Sequence, residues 1–125
     1  MNVYQYMLTY EGEHSFTEYF SIPPVGVCHA DDLIYLWEPV FGWDQGEHVL
    51  QGEDDMVRSF MTRVWSLFSM FGDPTPPNVG EIGVTWLPRT EDNMLMLNIS
   101  GQNPEMVNNN EMKRRMEFWS TLMFH

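Results

Sequence analysis

A chain of 125 residues holds one domain or part of one, and its 43% hydrophobic and 14% aromatic residues exclude a disordered tail. The net charge of −12 is uneven, since residues 1–57 carry 11 acidic and no basic side chains whereas residues 58–125 carry 7 acidic and 6 basic ones. This charge argues against nucleic acid and anionic membranes as partners, and it indicates either a solvated acidic surface or a field that steers cationic or neutral ligands.

The first predicted element is a β-strand over Val3–Tyr10. Aromatic and other residues alternate there with a period of two, and tyrosine is a good strand former. Residues 11–28 are predicted to be loop, because Pro23, Pro24 and Gly26 interrupt any regular structure.

A short helix is expected to follow from Asp31 to Trp37. Asp31 and Asp32 suit its first turn, where carboxylates face the positive end of the helix dipole. Pro39 would end this helix. Residues 41–52 are predicted to be loop.

The clearest helical pattern runs from about Asp54 to Phe71. Asp54 could cap its start, and Gly72 with Pro74 would end it. The apolar stripe is predicted to consist of Met56, Phe60, Val64, Phe68 and Phe71, with Val57, Met61 and Trp65 beside it.

Two short extended segments, 83–88 and 93–100, are expected next. A last helix is predicted from about Pro104 or Asn109 to Phe124, with Asn108 and Glu111 resembling a capping box. Its apolar stripe would comprise Met112, Met116, Trp119 and Met123.

This set of elements is too small for a complete domain. A lone strand with two short extended pieces forms at most a small sheet, and each long helix has a broad apolar face that needs cover. We therefore expect residues 1–125 to be an incomplete part of a larger α/β domain, and the isolated chain to be marginally stable.

Five segments now support a family resemblance. They read VYQYMLTYEGEHSF, VGVCHADDLIYLW, MTRVWSLFSMFGDPTPP, GVTWLP and MKRRMEFWSTL. Their order and spacing resemble the carboxyl end of the type-B carboxylesterases, a family that includes cholinesterases, arthropod carboxylesterases and juvenile hormone esterases. The segment GVCHADDLIYL is most similar to that of arthropod members. The resemblance implies an α/β-hydrolase fold, of which this chain would be the C-terminal fragment.

The resemblance also gives a role to His29. The family places its catalytic histidine in a G-V-x-H-x-D-D/E-L context after a late strand of the sheet, and it uses a Ser-His-acid triad. His29 occupies that position, which implies that it is the general base and acid of ester hydrolysis. By composition alone, a single loop histidine is more often structural. The implied substrate is a small-molecule ester, with no metal or other cofactor.

Neighbours of His29 are interpreted as structural. Asp31 and Asp32 are expected to stabilise the helix start rather than to serve as triad acid, which the family supplies from a separate upstream loop. Their spacing from His29 matches no known metal site. Cys28 is expected to be a small buried hydrophobe, and as the only cysteine it cannot form an internal disulfide.

The remaining histidines, His14, His48 and His125, are interpreted as structural. Asn98 begins an Asn-Ile-Ser glycosylation sequon, which matters only if the protein is secreted. The start of the chain has no basic residue before its apolar stretch, so no signal peptide is predicted. The localisation stays open, with a secreted or membrane-associated parent compatible with the sequon.

Several parts of a serine esterase are missing from the sequence. There is no G-x-S-x-G motif, no glycine-rich oxyanion segment and no loop bearing a triad acid. We therefore expect a fragment of a serine carboxylic-ester hydrolase that is inactive alone and needs the remainder of the hydrolase domain. The alternatives are a catalytically inactive esterase-like adhesion protein of the same fold and a stand-alone acidic binding module.

Overall fold

A computed structural model describes residues 2–23, 25–37 and 50–122. In chain order, the elements are β1 (Tyr6–Leu8), α1 (Phe16–Tyr19), α2 (Asp31–Leu36), α3 (Gly52–Phe71), β2 (Leu95–Ile99), β3 (Glu105–Asn108) and α4 (Asn110–Leu122). Most of the predicted loop at 41–52 lies outside the described residues, as do Pro39, His48 and His125.

The three strands form one mixed sheet in the order β1-β2-β3. β1 pairs with β2 in parallel, with Tyr6 opposite Leu97, and β2 pairs with β3 in antiparallel fashion. Both predicted strands in these regions are confirmed, although β1 covers only the centre of the predicted segment. Leu97 and Ile99 of the central strand are fully buried.

The third strand was not predicted. The prediction that the last helix could start as early as Pro104 is wrong, because β3 occupies this region and Asn108 pairs with Leu95. The proposed capping role of Asn108 is therefore also wrong, and α4 begins two residues later. Gly101, with φ of 141°, allows the tight connection between β2 and β3.

The predicted loop before α2 contains a short helix, α1. Ser15 caps it by accepting a hydrogen bond from the Thr17 N–H, and the Glu18 side chain accepts the N–H of Ser15 at 3.2 Å. This reciprocal capping box follows from the S-x-x-E spacing. The expectation of a continuous loop over 11–28 is therefore wrong at α1.

Helix α3 is confirmed, but its buried face differs from the predicted stripe. Fully or nearly buried positions are Val57, Met61, Val64 and Leu67. By contrast, Met56 and Phe71 are 53% and 59% exposed. The buried face is thus rotated toward Val57 and Met61, which were predicted to lie beside the stripe. Val64 is the member of the predicted stripe that is buried, and Leu67 was in neither predicted set.

The ends of α3 agree only in part with the sequence. Its C-terminal end is confirmed, since Gly72 adopts a left-handed conformation and donates its N–H to the Phe68 carbonyl at 2.8 Å. At the start, Gln51 rather than Asp54 is the capping residue. Asp54 lies buried in the first turn, where its carboxylate accepts the N–H of Glu13 at 3.1 Å.

The core lies where α2 and α3 cover the sheet. Its buried side chains are Ile34, Tyr35, Val57, Met61, Val64, Trp86, Leu97 and Ile99. Trp86 belongs to the predicted extended segment 83–88, which does not join the sheet. Instead its indole N–H donates to the Gln5 carbonyl at 3.2 Å and thereby ties this segment to the start of the chain.

Helix α4 keeps its apolar residues largely exposed. Met116 and Trp119, both on the predicted stripe, are 63% and 58% exposed among the described residues. None of the described helices combines the length and the apolar character needed to cross a bilayer.

Two methionines of α3 provide a test of which face is buried. Replacing Met61, which is fully buried, with alanine should lower the free energy of unfolding by about 2–5 kcal/mol, because a cavity remains. The matched change Met56→Ala on the same helix should cost at most about 0.5 kcal/mol. Denaturant unfolding of both variants measures the difference, and equal losses would favour the stripe predicted from sequence.

Candidate functional site

His29 lies at a tight turn between α1 and α2, and its side chain is exposed. The Cys28 carbonyl accepts the N–H of Asp31 at 3.3 Å, which closes the turn across His29 and Ala30. Ala30 has φ of 75° and ψ of 2°, values typical of the third residue of a type II turn. His29 therefore occupies the second position of that turn, immediately before α2.

The conformation of Ala30 is unfavourable for an alanine. Type II turns favour glycine at this position, because a Cβ atom clashes with the backbone when φ is positive. Strain of this kind costs about 1–3 kcal/mol and persists only when surrounding contacts hold the backbone in place. The turn that carries His29 must therefore be held by its neighbours.

Asp31 supplies the main contacts that hold this turn. Its carboxylate is 5% exposed and accepts the backbone N–H groups of Phe16 and Cys28, both at 2.8 Å. The Ser15 hydroxyl lies 3.1 and 3.2 Å from its two oxygens. One buried carboxylate thus joins the start of α1 to the residue before His29.

Asp32 makes a different contact. It accepts a hydrogen bond of 2.6 Å from the Tyr6 hydroxyl and so links α2 to β1. Neither aspartate caps its own helix through its side chain, since α2 has no side-chain cap at Ala30. The prediction that both lie in the first turn is confirmed, but their hydrogen bonds go to other segments.

Cys28 is half-buried and lies among polar groups. Its thiol is 3.1 Å from Asp31 Oδ1, to which it donates, and 3.6 Å from Ser15 Oγ. The prediction of a small buried hydrophobe is therefore wrong. Because the sulfur is directed at the carboxylate of Asp31, Cys28 belongs to the contacts that hold the turn.

Sequence reasoning missed the part that Ser15 plays in this site. The signal was present, since the S-x-x-E capping box places the Ser15 side chain at the start of α1. The sequence alone does not show that the start of α1 packs against the His29 turn. His14 directly precedes Ser15, and its Nδ1 atom lies 3.4 Å from a Glu18 carboxylate oxygen.

The other candidate sites are a metal cluster and the glycosylation sequon at Asn98. Across residues 2–23, 25–37 and 50–122, no three His, Cys, Asp or Glu side chains are grouped as metal ligands would be. Asn98, the sequon residue, lies within the central strand β2, and its side-chain oxygen accepts the Thr9 hydroxyl at 2.7 Å.

An apolar groove lies between β1 and α3. Its lining consists of Tyr4, Tyr6, Val64, Trp65, Phe68, Pro74 and Trp86. The Tyr6 and Trp65 rings meet edge to face at 4.8 Å between centroids, which fixes the floor of the groove. Tyr6 therefore contributes its ring to this groove and its hydroxyl to Asp32.

A model described as the carboxylesterase family matches residues 1–119. No curated protein sequence matches the chain.

Solved structures that share the fold include two esterases. A juvenile hormone esterase from Manduca sexta, solved with OTFP covalently attached, superimposes with a TM-score of 0.73 at 22% identity and covers 96% of this chain and 22% of its own. The carboxylesterase EST55 of Geobacillus stearothermophilus gives 0.60 at 19% identity, covering 92% and 21%. The chain therefore spans about a fifth of each neighbour, and its fold is part of an α/β-hydrolase fold.

The contact between Tyr6 and Asp32 predicts a loss of stability at alkaline pH. Burial, followed by the hydrogen bond to Asp32, raises the pKa of Tyr6 well above its ordinary value. Burial also raises the pKa values of Tyr10 and Tyr35, with Asp54 as their charged neighbour. Above about pH 10 the unfolded tyrosines lose protons that the folded ones keep, so stability should fall as pH rises further.

Unfolding experiments between pH 8 and 12 measure this effect. Tyr6→Phe should make the alkaline decline shallower, because one of the three linked groups is gone. Tyr4→Phe is the matched control, since the Tyr4 ring also packs against Trp86 but its hydroxyl does not bond Asp32. Identical pH profiles for the Tyr6→Phe variant and the unmodified chain would contradict the assignment.

Proposed function

The chain belongs to the carboxylesterase family, and we propose that it is the C-terminal segment of a serine carboxylic-ester hydrolase in which His29 is the general base and acid. Residues 1–125 are then an incomplete part of one hydrolase domain. The observation that carries the proposal is the placement of His29, exposed at the corner of a turn whose backbone is held by a buried carboxylate.

The chemistry assigned to His29 is proton transfer at two moments. The neutral imidazole takes the proton from the serine hydroxyl while the serine oxygen attacks the ester carbonyl. It then gives that proton to the departing alkoxide, which leaves as the alcohol while the acyl group stays on the serine. In the second half, a water molecule takes the place of the alcohol, and the acid is released. Histidine suits both steps because its ordinary pKa lies near neutrality.

The remaining parts of the reaction belong to the rest of the domain. A serine nucleophile, a triad acid and oxyanion donors are required, and the 125 residues contain no G-x-S-x-G motif to supply the first. The substrate class is a small-molecule carboxylic ester, and the mechanism uses no metal or other cofactor. The acidic charge supports neutral or cationic esters over polyanions.

The isolated 125-residue chain should have no esterase activity. One histidine without nucleophile and oxyanion donors lacks the groups that supply most of the rate enhancement. Hydrolysis of a short-chain nitrophenyl ester by the purified chain should equal that of its His29→Ala variant. A faster rate for the unmodified chain would contradict the proposal.

In the full-length protein, His29→Ala should reduce kcat by on the order of 10³-fold or more while the fold stays intact. His14→Ala is the matched control, because His14 lies on the neighbouring helix start and has no assigned part in the reaction. Steady-state kinetics and circular dichroism measure both effects. A His29→Ala enzyme with near-normal turnover, or a full-length protein without turnover, would reject the proposal, and the latter would favour the inactive adhesion-type alternative.

A further inference from the structure

We infer that Asp31 is a positioning residue, which fixes the backbone of the His29 turn so that the imidazole is held where the reaction needs it. The inference rests on the proposed function, since it assigns Asp31 a role through His29. Asp31 has no assigned contact with the substrate.

Two hydrogen bonds of Asp31 go to the backbone of Cys28, the residue before His29. Its carboxylate accepts the Cys28 N–H at 2.8 Å, and its own N–H donates to the Cys28 carbonyl at 3.3 Å. Cys28 is therefore held at both of its backbone polar groups by a single residue. His29 lies between Cys28 and Asp31, which are bonded to each other, so its backbone has little freedom to shift.

The other side of the Asp31 carboxylate is anchored as well. Asp31 also accepts the N–H of Phe16 at 2.8 Å and lies within hydrogen-bond distance of the Ser15 hydroxyl. These donors belong to α1, whose start is itself fixed by the capping box of Ser15 and Glu18. The turn is thus tied to an ordered helix rather than to another loop.

A carboxylate fits this position better than an amide does. A carboxylate that is 5% exposed is expensive to bury unless its oxygens accept several hydrogen bonds, and here both oxygens accept backbone donors. Asparagine has the same shape but carries an NH₂ group in place of one oxygen. That group would face the N–H of either Phe16 or Cys28, so Asp31→Asn releases one anchor with little change in volume.

The turn should relax once it is released, because Ala30 holds a strained positive φ of 75°. A shift of the His29 backbone by about 1 Å is enough to lower catalysis by on the order of 10²-fold, since proton transfer depends on close alignment. Substrate binding, which depends on the rest of the domain, should change much less.

Asp32 provides a matched control within the same turn of helix. It has the same charge and lies one residue further, but its hydrogen bond goes to the Tyr6 hydroxyl and not to the His29 turn. If a nearby negative charge were the important property, Asp31→Asn and Asp32→Asn would have similar effects on turnover.

The experiment compares Asp31→Asn, Asp32→Asn and His29→Ala in the full-length protein, with a short-chain nitrophenyl ester as substrate. We expect Asp31→Asn to lower kcat by about 10- to 100-fold with KM changed by less than about threefold, and Asp32→Asn to keep kcat within about threefold. Amide hydrogen exchange is the second measurement. Exchange at the Phe16 or the Cys28 amide, whichever loses its acceptor, should accelerate in Asp31→Asn, and both should stay unchanged in Asp32→Asn.

The outcomes separate the two proposals. If His29→Ala abolishes turnover but Asp31→Asn and Asp32→Asn match in kcat, the role of Asp31 is overturned and the proposed function stands. If His29→Ala keeps turnover, the proposed function fails, and the positioning role fails with it. Should Asp31→Asn fail to fold, Asp31→Glu decides, because it keeps the charge but its longer side chain moves the oxygens away from the N–H groups of Phe16 and Cys28. A loss in kcat at constant KM supports the inference, and an unchanged kcat overturns it.

Discussion

The parallel pairing of β1 with β2 is the constraint on which the rest of the structure depends. It places Tyr6 beside Leu97 and Leu8 beside Ile99, across some ninety positions of sequence. Parallel strands cannot be joined by a hairpin, so the intervening chain has to cross over the sheet. Helices α2 and α3 lie in that crossover, and α3 buries Val57, Met61 and Val64 against the sheet.

Two acidic residues in the first half of the chain, Asp31 and Asp54, hold separate segments of this fold together. Asp31 and Asp54 are 5% and 4% exposed, and each accepts hydrogen bonds from a distant segment. Asp54 receives the N–H of Glu13 and lies 3.5 Å from the Tyr35 hydroxyl. These carboxylates fasten the loops after β1 to the helices of the crossover, so part of the charge is structural rather than a solvated surface.

Periodicity in the sequence was sufficient for the elements whose pattern is local. Helix α3 and strand β1 follow from it, and α2 follows from its acidic first turn. Strand β3 does not, because its four residues become a strand only through pairing with β2. The buried face of α3 could not be fixed either, since two adjacent stripes of that helix are both apolar. His29 was found through the family resemblance. The positioning role inferred for Asp31 depends on its hydrogen bonds to the N–H groups of Phe16 and Cys28, and only the tertiary structure brings Phe16 to this carboxylate.

A histidine that exchanges protons with a serine elsewhere in a domain has two opposing requirements. Its ring must be open to the partner, yet its backbone must not drift, because the geometry of proton transfer is narrow. The role proposed for His29 carries both requirements, and the turn separates them. The ring is exposed on one side, while on the other the buried Asp31 holds the N–H of Cys28 and closes the turn through its own N–H. The strain at Ala30 can be sustained only because these contacts are present, so the open ring and the buried carboxylate are two parts of one arrangement.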